Sequence, residues 1–388
     1  MSKQEKQTIV LNSIFNFGAT LVSQFISVYL YIYTKSLPMM CAYIIVRIGL
    51  FPIFFTLGFY LSKKFRFALT YTIGLMLITF GLVIALISGP IFEANPYYVL
   101  VVAAIIGSGE GFYYFSANNS NQLVSSSETR ASFLAYNGIF NHATAFLAPI
   151  YSAAVLERSV NDMEGYRVIL MSIIAIFIFV IAMAFNLSTR SKDGKSSLLK
   201  ALSLNDKKWR DHIIGVMCYG MRDAVGLNVI GLLVYEAAGS GGLYSRLHIL
   251  FSFLTIVSYY LSKIFLSKDK TDRTMKIGVL LKILSTYSLL YIPNTIGALI
   301  YGIGNAFAAA FYDNTYSYLS ANIIGSYSGE MTSRVVAKEI YLSMARCTSM
   351  ALILLSYRFL PESIYLKVSV TLLSLFTILV YKILIQYK

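Results

Sequence analysis

The sequence predicts an all-α integral membrane protein with twelve transmembrane helices in two six-helix bundles. Three observations carry that prediction. The 388 residues are 57% hydrophobic and only 13% charged, about half the ~25% charge of a soluble domain. Apolar stretches of about 20 residues recur along the chain, long enough to cross ~30 Å of hydrocarbon. A polar, basic segment, STRSKDGKSSLLKALSLNDKKWRD at 188–211, divides them six and six.

Taken in order, the spans are 8–34, 37–61, 68–88, 96–118, 130–156 and 166–187, then 212–236, 243–266, 274–292, 294–319, 332–357 and 362–386. The first exceeds a signal-peptide core and is read as a retained helix. Several run past 20 residues, which tilt accommodates. Spans four and ten end in polar tails, Asn118 to Ser127 and Asp313 to Ser328, that blur their boundaries. The expected organisation is therefore an N-terminal bundle at 1–187, a cytoplasmic basic linker at 188–211 and a C-terminal bundle at 212–388. Within the linker, Leu198, Leu199, Leu202 and Leu204 predict a short amphipathic helix lying on the membrane surface.

Lysine and arginine set the orientation. With both termini on the cytoplasmic side, the outer segments carry only Lys35, Arg158, Arg167, Arg358 and Lys367, and the spans carry Arg47, Arg222, Arg246, Lys282 and Arg346. The other 22 of the 32 basic residues fall inside. That bias predicts both termini inside and an even number of spans. The net charge of +14 is thus a topology signal, not a nucleic-acid footprint, and no zinc spacing or RNA-binding signature accompanies it. Cys41, Cys218 and Cys347 lie within spans and form no disulfide framework.

An internal repeat supports the division. LSKK at 61–64 follows span two and LSKI at 261–264 follows span eight. Span four holds IIGSGEGFYYFSANN (105–119) and span ten IYGIGNAFAAAFYDN (300–314). A shift of 195 aligns Gly107 with Gly302, Gly109 with Gly304, Phe112 with Phe307 and Asn119 with Asn314. Duplicated halves of this kind enclose a central site in transport proteins.

Twelve spans, a 6+6 division, a basic central loop and both termini inside resemble the major facilitator superfamily over almost the whole chain. Its short signature between helices two and three, roughly G-x-L-A-D-R-x-G-R-K, is matched in part by Gly58-Phe-Tyr-Leu-Ser-Lys-Lys-Phe-Arg66. Gly58, Lys63 and Arg66 fit, Ser62 replaces the acid, and Phe65 replaces the second glycine. GMRDAVGLNVIGLLVYEA (220–237) and AKEIYLSMARCTSMALILL (337–355) resemble a loosely characterised branch of bacterial facilitators, mostly presumed exporters or permeases. The resemblance implies transport across a bacterial cytoplasmic membrane and does not name the cargo. Together with the charged span residues, the expectation is a secondary active, proton-coupled transporter of a small polar or amphipathic solute, in the export direction. A membrane sensor or assembly partner built on a degenerate facilitator fold is the alternative.

Candidate site residues are those whose placement in lipid is costly. An ionisable side chain at mid-membrane costs on the order of 2.5–3.5 kcal/mol on insertion scales, so each needs a partner or water. Asp223 and Glu110 are candidates for proton coupling. Glu110 stands between Gly109 and Gly111, which allow a neighbouring helix close; its repeat counterpart is Asn305. Arg222 is a candidate for an anionic solute group. Arg47 is expected to pair with Glu110 or Asp223. Glu339 and Arg346, seven residues apart, share a helix face and are expected to pair with Asp313, itself placed near the inner membrane interface. A stripe of Asn12, Asn16, Thr20, Ser23 and Ser27, bordered by Gln24, follows one face of span one and is expected to meet neutral polar solute groups. Asn137, Asn141 and His142 on span five, with Tyr113 on span four and the span arginines Arg47 and Arg346, complete the binding set; His142 is also a candidate proton sensor.

No G-x-x-x-x-G-K-[ST] loop and no H-E-x-x-H pair occurs. The expectation is a monomeric non-enzyme with no cofactor and no metal. Its partners would be a small solute, a proton or sodium ion, and the bilayer, with no nucleic acid.

Overall fold

In the computed structural model, described for residues 2–124, 130–185, 197–265, 271–327, 330–361 and 364–387, the chain divides into two compact units, Met1–Lys195 and Ser196–Lys388. All regular structure in the described residues is helical.

The first unit holds α1 (Lys3–Thr34), α2 (Leu37–Ser62), α3 (Phe67–Ile87), α4 (Val99–Val124), α5 (Arg130–Arg158) and α6 (Asp162–Ala184), with short turns of helix at Gly89–Ala94 and Pro96–Tyr98 between α3 and α4. α1 starts five residues before the apolar run. The Ser2 hydroxyl accepts from the Glu5 amide and the Glu5 carboxylate accepts from the Ser2 amide, a reciprocal cap that satisfies two free N–H groups. It ends at Lys35, in the left-handed region at φ 49°. α4 runs six residues past its predicted end, because the polar tail bonds within the bundle. The Asn119 amide donates to the Phe115 carbonyl at 2.7 Å, and Asn121 Oδ1 accepts from Asn12 at 2.8 Å.

Close approach of α2, α3 and α4 rests on glycine. A Cβ at Gly107 would strike the Arg47 carbonyl of α2, and one at Gly111 would meet the Phe51 carbonyl at 2.5 Å. On the next face, Gly109 meets Gly74 of α3, each Cβ position falling 2.6–2.7 Å from the other's carbonyl oxygen. Small residues let helix backbones touch where hydrocarbon offers no hydrophobic drive.

The second unit repeats the pattern. Its α7 runs Lys207–Ala224, winds through a π turn at Val225–Val229 and continues as Ile230–Ala238. Gly239, at φ 73°, ends it in a conformation open to glycine. There follow α8 (Gly241–Phe265), α9 (Thr271–Tyr291), and α10, which joins Thr295–Ala308 to Asn314–Gly325 through a second π turn at Ala309–Asp313. Last come α11 (Met331–Phe359) and α12 (Tyr365–Ser374, then Phe376–Leu384). The sequence repeat has a structural meaning here. Gly302 of α10 abuts the Phe251 ring of α8 as Gly107 abuts α2, and Gly304 meets Ser285 of α9 as Gly109 meets α3. Each aligned glycine keeps the role of its counterpart.

Nine helices among the described residues are long and apolar enough to cross a membrane. The predicted spans on α7, α8 and α9 are helical but are not among these nine.

The short helix expected on the membrane surface forms at Leu198–Leu202, but it docks differently. Ala201 is buried with Trp209, Ile213, Ile324 and Ala337, and Leu198, Leu202 and Leu204 pack against that cluster. Only Leu199 points outward, 82% exposed. The indole Nε1 of Trp209 donates to the Ala201 carbonyl at 2.9 Å, and the Tyr341 hydroxyl donates to the Leu202 carbonyl at 2.8 Å. The leucines therefore serve the bundle end, because Trp209 and Ala337 offer them a closer apolar surface than lipid does.

Candidate functional site

Each unit holds buried ion pairs between helices. In the first, Arg47 of α2 grips Glu110 of α4 with two prongs, Nε to Oε2 at 2.9 Å and Nη2 to Oε1 at 2.5 Å. Both side chains are under one fifth exposed. The glycines on either side of Glu110 bring α2 within reach, so the packing that draws the helices together also forms the pair.

In the second unit, Asp223 of α7 accepts two bonds from Arg346 of α11, at 2.9 and 2.5 Å. This corrects the expectation that Arg346 and Glu339 would face Asp313. Glu339 instead meets its neighbour Lys338 at 2.8 Å, and Asp313 meets Lys282 of α9 at 2.8 Å. Asp313 closes the π turn of α10. Two tyrosines frame this region: Tyr219 stacks on Tyr316 at 3.9 Å with ring planes 1° apart, and its hydroxyl reaches Asp313 Oδ1 at 3.4 Å.

Arg222 stands apart. It is 2% exposed, and its Nη2 donates to Thr286 Oγ1 of α9 at 3.0 Å. No carboxylate among the described residues lies within ion-pair distance of it. Arg222 and Asp223, adjacent in sequence, thus diverge to α9 and α11, as neighbours about 100° apart on a helix must.

The polar stripe of α1 is absorbed by α5. Asn12 Nδ2 donates to Asn137 Oδ1 at 2.9 Å. Asn16 Nδ2 donates to the Asn141 carbonyl at 2.8 Å and to Thr144 Oγ1 at 3.1 Å. The Thr20 and Ser23 hydroxyls donate to carbonyls of their own helix, and Gln24 is half-buried beside them. Asn12 and Asn16 thus knit α1 to α5, because an amide in a membrane bundle takes the nearest available partner. The equivalent helix pair of the second unit, α7 with α11, is joined by Asp223 and Arg346. Asn141 Oδ1 remains buried without a partner. The His142 side chain lies outside the described residues. Tyr113, expected to stack on a solute, is packed away: its ring lies 3.7 Å from Phe15, and its hydroxyl accepts from Tyr71 at 3.0 Å.

In the α2–α3 connection the motif residues make local contacts. The Ser62 hydroxyl donates to the Phe59 carbonyl, Lys63 lies over the rings of Phe59 and Tyr60, and Gly58 packs α2 against Phe115 of α4. Lys282, Thr286 and Tyr219 escaped the sequence reading. The available signal was Lys282 itself, a lone cation deep in a span, with Thr286 one turn further along the same face.

No family model matches the chain. It is 22% identical over 378 residues, 96% of this chain and 87% of the relative, to the uncharacterized protein YqgE of Bacillus subtilis (strain 168). Among solved structures it resembles the nucleoside transporter NupG, at 13% identity and TM-score 0.71, over 100% of this chain and 99% of that one. It also resembles FucP, described as a Major Facilitator Superfamily transporter, at 14% identity and TM-score 0.63, over 99% and 98%. The chain has the major facilitator fold. A bacterial homologue of the iron transporter ferroportin, in its inward-facing state, matches equally well, at TM-score 0.71 and 12% identity, over 100% and 99%. A facilitator fold is all-α and multi-pass, as the predicted spans require. At these identities the likeness carries the fold alone, and function must be argued from the site.

Proposed function

We propose that the chain is a secondary active transporter that moves a small polar or amphipathic solute by alternating access, coupled to protons through Asp223 and Glu110. The observation that carries this reading is the Asp223–Arg346 pair, two guanidinium donors on one carboxylate oxygen, beside Arg222, which has no carboxylate partner among the described residues of the second bundle. Charges inside spans are expensive and mark solute and ion paths. A carboxylate held by one arginine offers two states, paired and ionised or released and protonated, and a rocking motion between bundles can alternate them. Glu110 with Arg47 supplies the same element in the first bundle. Solved facilitators at full coverage, including one titled a fucose:proton symporter, support transport as the use of this fold. Export across a bacterial cytoplasmic membrane is the direction we assign, on the resemblance of segments 220–237 and 337–355 to presumed exporters.

The test uses proteoliposomes holding a pH-sensitive dye, challenged with nucleosides, sugars, amino acids and carboxylates. A solute that drives proton movement in the wild type should fail to do so in Asp223→Asn, while its downhill exchange persists. Equal proton movement in both would remove Asp223 from coupling. One observation favours a second reading, a sensor or assembly partner: Arg47, Lys282 and Arg346 all have carboxylate partners. Absence of flux for every solute class would favour it.

A further inference from the structure

Among the described residues of the second bundle, Arg222 is a buried cation with no carboxylate within ion-pair distance. Lys282 has Asp313, Arg346 has Asp223 and Lys338 has Glu339; Arg222 has a threonine hydroxyl. A guanidinium presents five N–H donors in a planar fork matched to carboxylate and phosphate oxygens. Here that fork is almost wholly removed from solvent, and its Nε finds no acceptor. A charge buried without a counter-charge is strongly unfavourable, and an ionisable residue within a span marks a functional site by default.

Polar groups gather around Arg222. The Tyr301 hydroxyl lies beside the guanidinium. Tyr312, close enough to feel the Arg222 charge, has a buried hydroxyl with no partner. Arg222 Nη1 occupies the space that a side chain at position 226 would need, and glycine stands there. Two π turns, Val225–Val229 on α7 and Ala309–Asp313 on α10, flank the group, and such turns concentrate at functional sites. None is present among the described residues of the first bundle.

We propose that Arg222, with Tyr312 and Thr286, is the receptor for an anionic group, a carboxylate or phosphate, on the solute that this bundle binds. The inference deepens the transport reading and rests on it for its biological use. Binding itself requires only the second bundle.

The experiment is thermal unfolding of the detergent-purified full chain with millimolar benzoate, succinate or inorganic phosphate, each against sodium chloride at equal ionic strength. A ligand of the folded state raises its midpoint by mass action, and at least one probe should raise the wild type by about 2 °C or more. Arg222→Met should lose that response with a ligand-free midpoint equal to or above the wild type, since an apolar side chain relieves the unpaired charge. Arg222→Lys, which keeps the charge without the fork, should respond more weakly. Equal responses in wild type and Arg222→Met, or no response to any probe, would overturn the proposal. So would a fall of several degrees in ligand-free Arg222→Met, which would make the arginine a structural tie. Proton-coupled flux of a neutral solute without anion binding would leave the transport reading standing and remove this site. Anion binding without flux would do the reverse.

Discussion

Glu110 and Arg47 illustrate how much one residue's neighbours decide. With glycine on both sides, the acid can be reached by α2, and the pair that forms is two-pronged and mostly hidden. Removing either partner leaves an uncompensated ion within the bundle. Glu110→Gln or Arg47→Met should each lower stability by about 2.5–3.5 kcal/mol, and the double variant by less than their sum. Thermal midpoints of the four proteins in detergent check this; additive losses would mean the pair is not coupled. At this scale the sequence was partly legible. For Arg47 the sequence left two acids open, Glu110 and Asp223, and the structure selects Glu110, the acid of its own bundle. Arg346 was matched to the wrong acid because several acids and cations crowd the second bundle, and helix periodicity gives a face but not the helix that the face meets. The stripe from Asn12 to Ser27 was found as a face, yet its bonds to α5 depend on which helix packs there, and a single sequence does not record that.

The elements are governed by where backbones touch. Gly107→Ala would drive a methyl into the Arg47 carbonyl, so α2 and α4 must part and the ion pair must stretch. A loss of about 1–3 kcal/mol is expected. Gly325→Ala, where nothing lies within 4 Å, should leave stability unchanged or slightly raised. Comparison of their thermal midpoints separates steric from propensity effects. The linker helix is a second case. Asp206 accepts from the Trp209 amide and the Tyr327 hydroxyl, which hold its carboxyl below the usual carboxylate range. Glu330 is lowered likewise by Lys200, then Arg334. Both groups have folded values below their unfolded ones. Their contribution is therefore complete above the ordinary values of 3.8 and 4.5 and lost as pH falls beneath these through the folded values. Hydrogen exchange of amides 198–213 should be unchanged from pH 7 to 5, once corrected for intrinsic rates, and lose protection as pH falls below about 4. Protection that declines already between 7 and 5 would point to a different titrating group. Helix existence and the aligned glycines were legible because both depend on local pattern. The two π turns were not, since an extra residue in a turn is dictated by packing and leaves no period in the sequence.

At the scale of the molecule, the duplicated glycines tie architecture to ancestry of form: each bundle is built on the same contacts of its fourth helix with its second and third. Each unit has its own core, so co-expressed 1–195 and 196–388 should both insert and resist protease as the intact chain does; rapid loss of one half alone would mean that it depends on the other. Orientation is open to direct measurement. Cys41 and Cys218 are buried and Cys347 is half-buried, which leaves a quiet background. A cysteine placed at Lys64 should be blocked only by a permeant reagent applied to whole cells, and one at Lys35 by an impermeant reagent too. The reverse pattern would invert the topology. The wholly buried Trp209 has one further consequence. It is the only tryptophan in 388 residues, and it sits under the linker helix with the Arg334 guanidinium 4.6 Å from its ring centre. The native chain's indole emission therefore comes from a single place: a blue-shifted spectrum means that the linker is seated, and a red shift on adding a solute would report its release with no label attached.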